Sequence, residues 1–405
     1  MKLDYREIDA RGMRYSALLA GLAAFLALAL VAAYLMEAHG HIVTGMTNEV
    51  VWGLPHVIAV FLIVAASGAL NVASIASVFR KAMYKPLAPL SGLLAIALLA
   101  GGLAVLVLDL GRPDRLPVAM THYNFTSIFA WNIFLYTGFA AVVAVYLWSM
   151  LERRMARHAA AAGAVAFGWR LLLTTGTGSI FGFLVARETY DSALLAPLFI
   201  ALSFSYGLAV YQLVLIATCR AGARPLGMGV LGRLARLQAW FVVASLYFVA
   251  LFHATNLYFA QRRAVERFLL LDGGVHTALF WIGQILIGSV LPLVLLVHPA
   301  LRRSARAIAL AAVLVVGGGL AQMYVTIIGG QAYPLTLFPG MEASSSFRDG
   351  IVHPYAPSLL EVCLGVGGFA LAATIVALGV KLFRFVPARL DDEVAARLAD
   401  PATAT

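Results

Sequence analysis

Apolar segments of about 20 residues recur along almost the whole chain, and they limit the folds that it can adopt. A helix of about 20 apolar residues spans the hydrocarbon core of a bilayer. Hydrophobic residues make up 62% of the 405 residues, and charged residues make up only 12%, about half their share in a typical soluble domain. The sequence therefore predicts an all-α integral membrane protein and excludes a set of soluble domains.

Ten of these segments are long enough to span a bilayer as helices. They cover residues 15–36, 51–78, 89–109, 127–150, 161–186, 194–218, 238–260, 275–298, 306–328 and 358–384. We predict ten transmembrane helices in a membrane domain of residues 15–384, with an N-terminal segment (1–14) before it and a tail (385–405) after it. The first span lacks a small-residue cleavage site, so we expect a retained anchor rather than a signal peptide.

The basic residues are distributed unequally between alternate hydrophilic segments. One set of segments, which includes both termini, holds 22 of the 29 Lys and Arg residues, and the other set holds 7. Cytoplasmic loops of membrane proteins carry such an excess. We therefore predict an even number of spans, with both termini in the cytoplasm. Because the net charge of +10 lies in short loops between spans, it indicates contact with the lipid bilayer and not with nucleic acid.

The sequence offers few candidates for metal ligands. Cys219 and Cys363 are isolated and fall on opposite sides of the predicted membrane, so they form no cluster for iron–sulfur or zinc ligation. His56 and His253 lie at a similar depth, which leaves a b-type haem as an alternative, although haems with two histidine ligands usually come with paired spacings that are missing here. We predict no metal site, no haem and no iron–sulfur cluster in this protein.

One connection between predicted spans is much longer than the others. It is "QAYPLTLFPGMEASSSFRDGIVHPYAP", residues 331–357, and it contains four prolines and several aromatic residues. Loops of this length in compact proteins are usually functional or disordered. The aromatic content favours an ordered surface on which a partner docks.

Ionisable and polar residues converge at one end of the second, third and fourth spans. Asp109 ends the third span in "VLVLDLGRPDRL", and His56 lies about one turn inside the second span in "WGLPHVIAVF". Since the third span runs outward and the second inward, both residues lie at the predicted non-cytoplasmic end. Four further polar residues follow at the same end: Arg112, Tyr123, Asn124 and Ser127.

This set of side chains is suited to a quinone head group, which needs hydrogen-bond and proton-transfer partners at both carbonyl oxygens. Histidine and tyrosine can supply both, and a nearby carboxylate can accept a proton when a quinol is oxidised. Ionisable groups at membrane depth are costly, which favours a functional role for them. The alternative is structural: Asp109 ends a helix and pairs with Arg112 or Arg115 as an interfacial brace, and His56 donates to a neighbouring carbonyl.

Three segments, "WGLPHV", "DLGRPDRL" and "NFTSIFAWN", resemble the NrfD/PsrC family, the membrane subunits of polysulfide-reductase-type respiratory complexes. The segments "FLIVAASGALNVASIASVF" and "LTTGTGSIFGFLVARETYD" and the "FPGMEASSSFRDG…YAPSLLE" loop are most similar to its DsrP branch, found in the membrane complex associated with dissimilatory sulfite reductase. The resemblance covers essentially the whole chain. It implies two four-helix bundles, spans two to five and six to nine, flanked by the first and tenth helices.

The resemblance also implies the cofactor and the partners. Family members exchange electrons between the quinone pool, menaquinone or ubiquinone, and a periplasmic ferredoxin-like iron–sulfur subunit. Further membrane and cytochrome subunits complete such complexes, which lie in the bacterial inner membrane. The quinone is held near the periplasmic ends of the first bundle, without covalent bonds or metal ligands.

Carried over residue by residue, the resemblance assigns roles in the predicted site. His56 matches the quinone-contacting histidine of the family, and Tyr123 matches a tyrosine on the quinone side. Trp52 stands where the polysulfide reductase pattern has an asparagine. Asp109 falls where relatives carry an acid. We expect Asp109 to accept or supply the proton in the quinone reaction, and we expect the charge of Arg112 to tune Asp109.

The sequence thus predicts a quinone-binding subunit of a sulfur-metabolism redox complex, with no turnover on its own. A secondary transporter or a proton-conducting subunit without quinone chemistry is the alternative from a different class.

Overall fold

The computed structural model describes residues 4–8, 12–335 and 350–399, and helices form at all ten predicted positions. Within these ranges, nine helices are long and apolar enough to cross a bilayer. The prediction of an all-α membrane protein is thereby confirmed. The long helices are α1 (Met13–His39), α2 (Leu54–Ser77), α3 (Ala82–Leu108), α4 (Ile128–Leu151), α5 (Ala159–Gly182), α6 (Leu195–Ala221), α7 (Met228–Tyr258), α8 (Val275–Val297), α9 (Ala305–Ala332) and α10 (Leu359–Leu382).

Helix α5 is less apolar than the other nine. It has 24 residues, the same length as α4, but it carries Arg170 and the segment "TTGTGS" at 174–179. These residues lower its mean hydropathy. Since length and composition alone do not mark α5 as a span, the count of ten transmembrane helices stays a prediction.

Helix α2 lies at the centre of the molecule. In its most apolar 18-residue window, 94% of the residues are buried, and it packs against α3, α5, α6, α9 and α10. Helices α2 to α5 contact one another in sequence order, and so do α6 to α9. Helix α1 is mostly exposed and packs against α10. These contacts agree with the predicted grouping into two flanked four-helix bundles, which stays a prediction.

Two glycines allow the close approach of α2 and α6. A Cβ atom on Gly68 would overlap the carbonyl of Ser203, and one on Gly207 would overlap the backbone of Gly68. In a bilayer, helices associate through packing rather than through hydrophobic transfer, so small residues that bring backbones together matter most. The α2–α6 contact therefore depends on the absence of side chains at both positions.

A buried arginine lies between α2, α5 and α6. Arg170 is 3% exposed, and its Nη1 donates to Asn71 Oδ1 at 2.6 Å and to the carbonyl of Ser67 at 3.2 Å. Its guanidinium also lies over the rings of Phe167 and Phe204, 5.2 and 4.9 Å from their centroids. Arg170 is one of the 22 basic residues assigned above to the cytoplasmic side, although it lies within the predicted span 161–186, and the structure places it inside helix α5.

Two short strands, one before α1 and one after α10, meet at one end of the helices. Strand β1 (Tyr5–Arg6) pairs antiparallel with β2 (Val386–Pro387). Arg224, which follows α6, donates to the carbonyls of Arg6 and Val386 at 2.8 and 2.7 Å. The strand that precedes α1 and the strand that follows α10 thus lie on the same side of the helices. The opposite end, which carries His56 and Asp109, is called the outer end below.

Gly207→Ala should destabilise the α2–α6 contact by about 1–3 kcal/mol, because the added methyl group would force two backbones apart. Gly168→Ala on α5 is the matched control: nothing lies within 4 Å of its Cβ position, and alanine is favoured over glycine inside a helix. Thermal unfolding in detergent would measure both effects. An equal melting temperature for the two variants would contradict the close approach.

Candidate functional site

Asp109 is a buried carboxylate at the outer end of α3. The residue is 5% exposed and directly follows the last residue of the helix. Its Oδ2 lies 2.9 Å from Nδ1 of His56, and its Oδ1 lies 3.5 Å from Nε2 of His41. The structure therefore brings together the residue predicted to contact the quinone, His56, and the residue predicted to accept or supply the proton, Asp109, and it adds a second histidine.

The carboxylate lacks hydrogen bonds although both histidines are close. The His56–Asp109 contact does not have hydrogen-bond angles, and within the described residues neither carboxylate oxygen nor His56 Nδ1 has a hydrogen-bond partner. His41 Nε2 instead lies 3.2 Å from the backbone carbonyl of Asp109. An unpaired buried polar group costs about 1–3 kcal/mol, so this arrangement is costly unless a ligand or a water completes it.

Local sequence explains why these side chains meet. Pro55 occupies the first turn of α2, where its missing N–H costs nothing, and it sets His56 at the start of the helix. After Asp109, Gly111 adopts a φ of +70°, which residues with a Cβ rarely adopt. A Cβ on Gly111 would also lie 3.0 Å from Cε1 of His41. The "DLG" segment therefore turns the backbone and leaves room for His41.

Trp52 links His56 to a group of aromatic rings. Its ring centroid lies 6.4 Å from that of His56 and 6.2 Å from that of Phe129. On the other side it meets Phe181 and Tyr190 at 5.8 and 6.5 Å. The indole thus forms a flat, partly buried wall next to the histidine.

The segment that precedes α2 is held by hydrogen bonds from distant parts of the chain. Gln331, at the end of α9, accepts from the N–H of Trp52 and donates to its carbonyl, both at 3.0 Å. Arg187 donates to the carbonyls of Glu49 and Gln331 at 2.6 and 3.0 Å. These bonds fix the backbone from which the indole projects.

A second set of hydrogen bonds ties the start of α2 to α10. Tyr355 accepts from the N–H of Leu54 and donates to Oε1 of Glu361, both at 2.6 Å. Glu361 is fully buried, and its Oε2 accepts from the N–H groups of Gly45 and Ser358 at 2.7 Å. Burial, reinforced by the bond to Glu361, raises the pKa of the Tyr355 hydroxyl, which therefore stays protonated and able to donate.

The other predicted site residues lie in the connection between α3 and α4. Arg112 forms a bidentate pair with Asp114 at 3.0 Å. Tyr123 stacks on Phe134 with centroids 4.2 Å apart, and Asn124 Oδ1 accepts from Thr126. Ser127 directly precedes α4 and makes no capping hydrogen bond with its side chain. Arg112 thus pairs with an acid of its own loop, and the roles assigned to these four residues stay predictions.

His41 and the residues that hold the start of α2 were not predicted from the sequence. His41 follows α1 in "HGHIV", at the same end as the predicted site, and this position was the available signal. Gln331 and Tyr355 belong to the long connection 331–357, for which a docking surface is predicted. Residues 336–349 of that connection lie outside the described residues, while its two ends hold the candidate site.

A separate buried contact between a histidine and a glutamate lies at the outer end of α7. His253 Nδ1 is 2.7 Å from Oε2 of Glu266, and Asn256 donates to Oε1 of Glu266 at 2.8 Å. Glu266 is fully buried although it belongs to a hydrophilic connection, so hydropathy did not reveal it. Within the described ranges, no group of three or more His, Cys, Asp or Glu residues is placed to hold a metal ion.

A comparison with protein families decides the kinship of this protein. The family profile described as "Polysulphide reductase, NrfD" matches residues 42–334. This chain belongs to the NrfD family. The match includes α2 to α9 and, with them, His56 and Asp109.

Curated relatives of this NrfD family member belong to oxidoreductases. The Hdr-like menaquinol oxidoreductase integral membrane subunit of Archaeoglobus fulgidus is 30% identical over 97% of this chain and 99% of its own length. A putative dimethyl sulfoxide reductase membrane subunit from Halobacterium salinarum is 30% identical over 85% of both proteins. One chain of the polysulfide reductase of Wolinella succinogenes is 25% identical over 71% of this protein and 96% of its own length.

Tyr355→Phe should lower the free energy of unfolding by about 1–3 kcal/mol, because it leaves the Leu54 N–H and Glu361 Oε1 without their buried partner. Tyr258→Phe is the control, since that side chain is 81% exposed. Unfolding in detergent measures the difference. If the two variants unfold alike, the hydroxyl of Tyr355 does not hold the start of α2.

Proposed function

We propose that this NrfD family member is the quinone-reactive membrane subunit of a multi-subunit oxidoreductase. It exchanges electrons between the quinone pool and an iron–sulfur subunit that docks at the outer end. The observation that carries the proposal is the buried Asp109 carboxylate between His41 and His56, whose oxygens have no hydrogen-bond partner among the described residues.

The residues of this site fit a quinone head group. His56 and His41 supply ring nitrogens that can donate to or accept from carbonyl and hydroxyl oxygens. Their side chains are 20% and 34% exposed, so a ligand can reach them, whereas that of Asp109 is 1% exposed. Exposed apolar side chains adjoin the site and suit an isoprenoid tail: Val51, Leu110 and Phe129.

In the proposed reaction the quinol supplies the redox chemistry, and the side chains bind it and transfer protons. A quinol supplies electrons together with protons when it is oxidised. His56 holds one oxygen of the head group through a ring nitrogen, and Trp52 limits the approach of water from one side. Asp109 accepts a proton, either directly or through His56, because its carboxylate lies 2.9 Å from that imidazole ring. His41 is the partly exposed residue through which that proton reaches solvent.

We assign the remaining predicted residues to the outer rim of the site. Arg112 lies at the rim, where it pairs with Asp114, and Tyr123, Asn124 and Ser127 line the connection before α4. Tyr123 supplies the second hydrogen bond to the head group. Because this subunit holds no redox metal of its own in the proposal, it has no turnover without its partner subunits.

The relatives support a particular setting for this activity. The relative from Archaeoglobus fulgidus is named for menaquinol, and we propose menaquinone or ubiquinone for this protein. The complex is the sulfur-metabolism complex associated with sulfite reductase, with further membrane and cytochrome subunits. The protein lies in the bacterial inner membrane with both termini in the cytoplasm. A periplasmic ferredoxin-like iron–sulfur subunit docks on the connection 331–357, whose ends hold the start of α2.

His56→Ala should weaken the binding of a fluorescent quinol analogue by about tenfold, which corresponds to about 1.4 kcal/mol and to the loss of one hydrogen bond. His122→Ala is the matched control, because His122 is an exposed histidine at the same end whose side chain bonds only to its neighbour Thr121 among the described residues. Quenching titrations of the purified protein measure both. Equal affinity for wild type and His56→Ala would overturn the site.

Asp109→Asn separates binding from proton transfer. The amide keeps the shape of the carboxylate but cannot accept the proton, so analogue binding should stay within a few-fold of wild type while quinol oxidation by the assembled complex is lost. Full oxidation rates in Asp109→Asn would remove Asp109 from the reaction. Failure of wild type to bind any quinol analogue would favour the transporter alternative.

A further inference from the structure

A second line of buried polar residues runs through helices α6 to α9, apart from the Asp109 site. It begins at the outer end, where Arg262 pairs with Asp191 at 3.0 Å and donates to Asn256 Oδ1 at 3.1 Å. Asn256 in turn bonds Glu266, which contacts His253 at 2.7 Å. Asp191 is 40% exposed and Glu266 is fully buried, so this part of the line leads from solvent into the protein.

Two small cavities extend the line inward from His253. The first is lined by His253, Thr326 and Gln322, and the second by Gln322, Gln284 and Ser205, each among apolar neighbours. Each cavity leaves about 20 Å³ for water, above the roughly 10–15 Å³ that one water molecule needs. Gln322 lines both cavities, so the two are consecutive.

The polar groups in the second cavity are arranged to hold water. Gln284 is 4% exposed, and neither its amide nitrogen nor its amide oxygen has a hydrogen-bond partner among the described residues. Buried amides without partners are rare, and a bridging water with several polar neighbours is their usual complement. Ser245 on α7 and Ser289 on α8 line the same cavity and add two hydroxyl groups.

The line continues from Ser205 to a pair of buried glutamines. Gln238 donates to the hydroxyl and the carbonyl of Ser205, both at 3.1 Å, and Gln212 donates to Gln238 Oε1 at 3.3 Å. Both glutamines are fully buried. Asn256 and Gln238 are 18 residues apart on α7, which is about 27 Å along a helix axis. That length is close to the roughly 30 Å thickness of the hydrocarbon core.

We infer that this line, from Asp191 and Glu266 to Gln238 and Gln212, is a proton-conducting path across the second set of helices. Glu266 and His253 are the titratable pair at its outer end. A proton on Glu266 passes to Nδ1 of His253, then along waters and the hydroxyls of Thr326, Ser245 and Ser205, and it leaves beyond the glutamines. The amide groups orient the waters. Each group returns to its starting state, so one proton is moved and no electron is transferred.

The inference does not rest on the proposed function, because its residues lie on α6 to α9 and in the connections at the outer end of α5 and α7. Carboxylates near the middle of the membrane are a common feature of proton pathways. The line described here has instead a buried acid, Glu266, at its outer end and uncharged polar side chains along its interior. Ordinary packing would leave the amide of Gln284 bonded to the protein, whereas neither of its polar atoms has a hydrogen-bond partner among the described residues.

The test is proton flux into vesicles that contain the full-length protein. Phosphatidylcholine vesicles enclose a pH-sensitive dye, and a potassium gradient with valinomycin sets the membrane potential. We expect the wild-type protein to raise the flux above that of protein-free vesicles. Glu266→Gln removes the titratable group with the same shape, and Gln284→Leu removes water ligands without breaking a side-chain hydrogen bond to any described residue. Both should return the flux to the protein-free rate.

Asp272→Asn is the control, since Asp272 is an acid in the same connection that is 57% exposed and pairs with Arg267. It should leave the flux unchanged, and all three variants should bind the quinol analogue as wild type does. Melting temperatures verify that the variants are folded. A wild-type flux equal to that of protein-free vesicles would overturn the inference, and so would wild-type flux in either Glu266→Gln or Gln284→Leu.

Discussion

The fixed position of α2 is the constraint on which the candidate site depends. Its interior is buried against five other helices, and its closest contact, with α6, depends on Gly68 and Gly207. At its outer end, Gln331 and Tyr355 hold the backbone around Trp52 and Leu54. Because backbone groups without partners are costly where a bilayer excludes water, these hydrogen bonds stabilise the backbone at the helix start. His56 projects from this rigid point toward Asp109.

The same fixed backbone determines the surroundings of the Asp109 carboxylate. A carboxylate with 1% exposure is costly in a protein interior unless it is paired or protonated. Asp109 is contacted by two histidines, but the fixed start of α2 and the turn at Gly111 leave its oxygens without hydrogen bonds among the described residues. A buried acid without hydrogen bonds, next to partly exposed histidines, is typical of sites that bind a ligand or handle a proton. The packing of α2 and the chemistry of Asp109 are therefore linked.

The helices could be predicted from sequence because an apolar segment of sufficient length is a local signal. The proximity of His56 and Asp109 followed from span direction, since helix ends on one side share a depth. The hydrogen bonds from Gln331, Arg187 and Tyr355 to the backbone around the start of α2 could not be predicted, because they depend on how α9 and α10 pack against α2. The burial of two charged residues was also not predicted. Arg170 is counted with the basic residues of the cytoplasmic side although it lies within a predicted span, and Glu266 belongs to a polar connection but is fully buried.

The polar regions around Asp109 and Glu266 lie in different parts of the fold and suit different functions. The region at Asp109 opens toward the surface and is bordered by aromatic and apolar side chains, which suits a large ligand with a tail. The region at Glu266 is narrow and continues into cavities that admit only water. A protein with both can bind a redox ligand in one half and move protons in the other, with the α2–α6 contact between them.

Photolabelling with a quinone analogue that carries a reactive group on its head tests the central claim most directly. We expect the labelled peptides to contain His41, Trp52 and His56, or Asp109 and Leu110, and an excess of unmodified quinone to prevent the labelling. Labels confined to α6–α9, or labelling that excess quinone leaves unchanged, would contradict the assignment of a quinone site to Asp109 and His56.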